Sequence, residues 1–409
     1  MDRLAATLPV ADLARTAVEE LRSAARRAGV VGPLVDAPLD PTRVAASFAS
    51  DRLLRVDGEP WAGFAPHSGF FPTSDGWVRT HANYPHHRRR LLRLLGLPDG
   101  ATRDDLAVRL ASSPAQHVED AAADAGAIAV RVRPEVEWRA SAPGRAAAVG
   151  PLVATAPRPD GRAASRTAPP LAGARVLDLT RVIAGPVATR ALALLGGDVL
   201  RVDPPEPAEI GAQHLDTGQG KRSTLLDLRR RDDHARAQEL LDAADVLVTG
   251  YRPGAIEAHG LRVPPGTVHA RVSAWGTGGP WADRRGFDSI VQAASGIALL
   301  ESADGVTPGA LPAQALDHAT GYLLAAGAVG ALAARARDGA GRDVTVSLTR
   351  TATWLLDAPG RDPHHPPAEP PPSSTTVTHG RVRYARPALP VDDYPAPARP
   401  WGTDPPRWA

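Results

Sequence analysis

From residue 171 onward the chain alternates short apolar runs with amphipathic stretches, and that alternation predicts its architecture. The runs ARVLDLT, DVLRVD, STLLDL, DVLVTG and TVHARVSAW read as strands at 174–180, 198–203, 223–228, 245–250 and 267–275. They are apolar at almost every position rather than at alternate ones, the pattern of strands buried on both faces of a parallel sheet. Between them, GPVATRALALLG, ending on Gly196, and RDDHARAQELLDAA read as helices. This order predicts an α/β fold, a doubly wound, Rossmann-like parallel sheet.

Residues 309–337, GALPAQALDHATGYLLAAGAVGALAARAR, predict a loop, an acidic residue and then a long buried helix, with the strand RDVTVSL after it. Upstream, GFFPTSDGWVRTHANYPHHRRRLLRLLGLPDG predicts a strand around Trp77 and a helix that starts at Pro85 and ends before Gly96. Residues 1–150 are therefore expected to form a second, smaller α/β domain. The stretch 151–170, PLVATAPRPDGRAASRTAPP, has no apolar period and reads as a linker. The main domain is expected over 171–357, and the proline-rich tail 358–409 as extended chain along the surface.

Composition narrows the function. The sequence of 409 residues has 47 basic and 45 acidic side chains, a near balance, and no basic run with interleaved aromatics. A nucleic-acid partner is not expected. The opening residues have the amphipathic Arg/Glu pattern of a helix rather than of a signal peptide, and no apolar run is read as membrane-spanning, so a cytoplasmic protein is expected. With no cysteine in the chain, disulfides, thiolate metal sites and a cysteine nucleophile are excluded. Neither His81, His86 and His87 nor His364 and His365 have metal-ligand spacing with a carboxylate, and no metal is expected.

Arginine has replaced lysine everywhere but once, at Lys221 in GQGKRST. That exception marks a position where a compact ammonium matters. Ligands of a doubly wound sheet bind at the carboxyl ends of its strands. The first such turn, TRVIAGPVATR, lacks the G-x-G-x-x-G phosphate cradle, so Asp203 at the next strand end is a poor sign of NAD. GKRS at 220–223, GYRPGAIEAHGL at 250–261 and SAWGTGGP at 273–280 suit a phosphorylated, partly apolar ligand instead. Lys221 and Arg252 offer charge, Tyr251 a stacking face, and glycines such as Gly250 close approach to the backbone.

Taken with LAGARVLDLTRVIAGPVATRALALLGGDVLRVDPP, GFDSIVQAASG and RDGAGRDVTVSL, these segments resemble in order and separation the family III CoA-transferases. That group includes carnitine CoA-transferase, formyl-CoA transferase and α-methylacyl-CoA racemase. The resemblance covers about residues 171–357, and more loosely 51–150. It implies a coenzyme A site at Val182, Ile183, Ala184, Lys221, Gly250, Tyr251 and Arg252, and a nucleophilic aspartate heading the long helix, Asp317. It also implies CoA transfer between carboxylic acids through an aspartyl anhydride and an aspartyl-CoA thioester, and a homodimer, interlocked in the family. Three departures qualify this. Phe287 stands where the racemases have a histidine, Gly250 where transferases have an asparagine, and the small-domain-like part precedes the linker. A non-catalytic CoA-binding partner subunit is the alternative, and a racemase the third reading.

Overall fold

The computed structural model describes residues 3–61, 63–161, 171–251, 254 and 257–409. Seven strands form the main sheet: β1 (Ala154–Gly161), β2 (Arg175–Leu179), β3 (Asp198–Asp203), β4 (Arg222–Leu225), β5 (Val246–Thr249), β6 (Val268–Ser273) and β7 (Ala340–Ser347). Their order is β1-β7-β6-β5-β2-β3-β4, parallel throughout except for the edge strand β1. The chain moves outward from β2 in both directions. The crevice between β2 and β5 is thus the point where winding reverses, the place where such sheets bind ligands.

The helices that matter below are α1 (Val10–Arg27), α2 (Pro85–Leu94), α3 (Ala184–Leu194), α4 (Gly211–Thr217), α5 (Arg231–Asp242), α6 (Asp288–Ser295), α7 (Ala315–Asp338) and α8 (Leu348–Asp357). Almost every residue of α7 from Ala315 to Leu332 is buried. In length and apolar content it matches a membrane span, but 67% of that stretch lies inside the fold. It is the core helix, flanked by α1, α3 and the β6–β7 side of the sheet. The crossing with α3 is close because Gly321 has no side chain: a Cβ there would stand 2.5 Å from the Ala184 carbonyl oxygen.

Three expectations about organisation need correction. The stretch read as linker contributes β1, whose residues 154–161 pair antiparallel with β7. An edge position tolerates Pro157 and Pro159, and exposure on both faces removes any apolar period. Helix α1 does not join a small domain. Its apolar stripe, Leu13, Ala14, Ala17, Val18, Leu21 and Ala25, packs into the core cluster that contains α7. The tail is more than surface wrapping, since Thr376–His379 and Val382–Ala385 form a hairpin that extends through Arg55–Val56 to Glu59–Pro60.

The smaller module itself is a three-stranded antiparallel sheet, Gly69–Thr73, Gly76–Thr80 and Ala129–Arg131. Helix α2 starts on Pro85 as expected, and Gly96 beyond its end takes a φ of 69°. Phe71, Val78, Leu91, Leu106 and Leu110 make its own core.

Candidate active site

Asp317 occupies the third position of α7, not its cap: the cap residue is Gln314, and no side chain of that residue closes the helix. The end is closed in trans. Asp288, at the start of α6, accepts hydrogen bonds from the backbone N–H groups of Asp317, at 2.9 Å, and Leu316. Gln292, one turn on, donates to Asp288 and accepts from the Leu311 N–H at 3.0 Å. Two side chains of α6 thus fix both the loop before α7 and its first turn. The Asp317 carboxylate is left free of that work and lines a small cavity.

Burial comes first and the Asp288 charge second in holding the Asp317 carboxyl well above the usual carboxylate range. Burial also pushes Asp288 up, to about 6, against the hydrogen bonds that favour its charged form. A helix N-terminus by itself favours an ionised carboxylate, and here burial and the Asp288 charge oppose it. Here two carboxyl groups compete for charge in a buried space.

The cavity at Asp317 has a free volume of about 40 Å³ and lies between the two modules. Its walls include Trp61, Phe64 and His81 from the small-module side, Val182 and Ile183 from the turn after β2, and Asp216 from α4. Phe287, the residue before α6, closes one side and carries His81 on its face, rings 3.7 Å apart and 7° from parallel. A histidine from a distant segment thus lies over the position where the racemases carry theirs. Burial and then the Arg79 charge depress His81 to about 3, so its imidazole is neutral.

A second, larger cavity of about 360 Å³ shares Val182 and Phe287 with the first. It lies at the carboxyl ends of β2, β5 and β6 and contains Gly250, Tyr251, Arg181, Arg284 and Arg285. Pro204 and Tyr251 connect it in turn to a third space, beside Asp203 and Leu226–Arg229. The three form one path from the outer strand ends to Asp317. Val182, at the junction, has a φ of 72°, rare for a β-branched residue.

The expected binding residues separate on this geometry. Val182, Ile183, Gly250 and Tyr251 line the path. Ala184 is buried as the first residue of α3, with its carbonyl against Gly321. Arg252 lies outside the described residues. Lys221 lines none of the three spaces. Its ammonium sits 4% exposed beneath α3, donating to Thr189 Oγ1 at 2.8 Å, the Pro186 carbonyl at 3.1 Å and Asp178 Oδ2 at 3.3 Å. Three acceptors around one point suit an ammonium and leave no room for a planar guanidinium. The lone lysine is an internal strut, and burial depresses it to about 8 despite the Asp178 charge.

Asp203 is also committed. Arg181, Arg201 and the Trp401 indole N–H all bind its carboxylate, at 2.9, 2.7 and 2.9 Å. It has no free edge for a ribose. The sequence reading missed Arg181, Arg284, Arg285 and Asp288 and weighed His81 only as a metal ligand; all lie within or beside segments already quoted, and chain position marks them poorly. Among the described residues no group of three or more His, Asp or Glu side chains is arranged to hold a metal.

Residues 171–381, just over half of the chain, match the model of CoA-transferase family III. The chain belongs to that family. An acetyl-coenzyme A transferase of Hypoxylon pulicicidum is 33% identical over 211 residues, 48% of this chain and 35% of its own length. A probable fatty acyl-CoA transferase of Mycobacterium tuberculosis is 33% identical over 210 residues, 47% and 53% respectively. The alpha subunit of succinyl-CoA–L-malate CoA-transferase from Chloroflexus aurantiacus is 32% identical, covering 46% of this chain and 49% of that one. A crystal structure of the Mycobacterium tuberculosis protein aligns with a TM-score of 0.43 at 34% identity, over 47% of this chain and 57% of the other. The chain spans about half the length, or less, of these relatives.

Proposed function

We propose that this chain moves coenzyme A from an acyl-CoA thioester to a carboxylic acid through covalent intermediates on Asp317. The observation that carries this reading is a buried carboxylate with no described hydrogen-bond donor, at the inner end of a path whose wider part is lined by three arginines. Arg181, Arg284 and Arg285 would receive the phosphates, the turn Val182–Ile183 would guide the pantetheine arm, and Tyr251 would stack at the outer end.

In the first step an oxygen of Asp317 attacks the thioester carbonyl carbon. The C–S bond breaks, the thiolate leaves with the electron pair, and an aspartyl anhydride remains. The thiolate then attacks the aspartyl carbonyl, releasing the first acid and leaving an aspartyl-CoA thioester. An incoming carboxylate repeats both exchanges in reverse. An acyl group bound in a cavity this small would leave little room for the water that hydrolyses an anhydride.

Intact-mass measurement after incubation with acyl-CoAs and hydroxylamine tests the reading. A hydroxamate mass gain on the wild-type chain, lost in Asp317→Ala, is expected; no gain with any thioester while CoA still binds overturns it in favour of a non-catalytic CoA-binding role. His81 motivates a second reading, in which Asp317 and the neutral imidazole exchange a proton at the α-carbon of an acyl-CoA. Deuterium uptake from D2O at that carbon without acyl transfer is its distinguishing result.

A further inference from the structure

The cavity at Asp317 has an unusual polar inventory. Asp216, Asp51 and Gln213 all line it, and one side-chain oxygen of each, Oδ1, Oδ1 and Oε1, is buried with no hydrogen-bond partner among the described residues. Asp216 is only 3% exposed, and its other oxygen takes the Ser50 hydroxyl at 2.7 Å. A buried acceptor without a donor costs about 1–3 kcal/mol, so three of them around one space point to a ligand that brings donors.

The walls lack what a second carboxylate on the ligand would need. Among the described residues, no arginine or lysine is part of them. Arg190 lies behind Asp216, bonded to the Asp216 backbone carbonyl and set against the Tyr394 ring. The Asn83 amide is already used by Ala65, Ser68 and Gly63. Size adds a further limit. A free volume of about 40 Å³ accommodates about three water-sized groups.

We propose that the acid exchanged at Asp317 is a short monocarboxylic acid carrying a hydroxyl or ammonium group, and that Asp216 and Asp51 receive that group. This rests on the covalent reading of Asp317. A site built to hydrogen-bond a polar substituent rejects analogues that lack it, because its own groups are then left unpaired. Long alkyl chains are excluded by volume and dicarboxylates by like charge.

The test measures the rate of hydroxamate formation on Asp317 with propionyl-, 3-hydroxypropionyl-, β-alanyl-, succinyl- and palmitoyl-CoA. The hydroxypropionyl or β-alanyl thioester is expected to react at least about tenfold faster than propionyl, and which of the two leads distinguishes hydroxyl from ammonium. In Asp216→Asn that ratio is expected to fall below about threefold; should this variant misfold, Asp51→Asn is read in the same way. Equal or faster reaction of propionyl-, succinyl- or palmitoyl-CoA, or an unchanged ratio in the folded variant, overturns the substrate assignment while leaving covalent transfer standing. No adduct with any thioester overturns both.

Discussion

Asp317, the proposed nucleophile, also carries a local thermodynamic cost. Its folded pKa is raised above that of the unfolded chain, as is that of Asp288, where the value reaches about 6. For such carboxyls the folded state binds more protons, so their contribution to stability is greatest at low pH and is lost as pH rises through the folded pKa. Asp317→Asn is therefore expected to abolish hydroxamate formation yet raise Tm at pH 8, by about 1 kcal/mol of stability, with a smaller gain at pH 5. Thermal melts at the two pH values check this. Lys221 gives the opposite kind of test. Lys221→Arg forces a larger head among Thr189, Pro186 and Asp178 and should cost about 1–3 kcal/mol, while KM for acyl-CoA stays unchanged in the folded fraction. A role in CoA binding would instead raise KM at constant Tm.

At the level of elements, the turn between β2 and α3 stores strain where two cavities meet. Val182→Gly is expected to leave Tm within about 1 kcal/mol of wild type, relief at a φ of 72° offsetting lost packing. Transfer should nevertheless slow about tenfold, because the side chain that defines the junction is gone; kcat at saturating acyl-CoA is the readout. The strands from β2 to β7 were readable because each carries β-branched or aliphatic residues in a short run bounded by turns. The edge strand β1 was not, since its residues are exposed and two of them are prolines. Likewise α1 announced itself as a helix, but nothing in its stripe says which core it joins.

Across the whole molecule, distance in sequence limited what could be read of the site. Asp317 was singled out because the family resemblance implies an acid at the head of this helix. The partners that define its surroundings, Asp51, His81 and Asp216, come from segments more than 100 residues away and meet it only through the fold. The tail is a further long-range contribution. Gly402 donates to Ser223, Trp401 to Asp203 and Trp408 to the Leu240 carbonyl, and Thr403 bridges to Thr224 on the edge strand β4. Removing residues 396–409 uncovers that edge and frees one side of Asp203. Concentration-dependent aggregation is expected, measured by light scattering against the full chain.

The trans cap on α7 has a consequence for the proposed catalytic cycle. An acylated Asp317 would carry no charge, so the competition for charge with Asp288 would end on loading, while the two N–H groups that Asp288 holds need not move. The start of the core helix would then stay fixed as the charge beside it changes with each turnover.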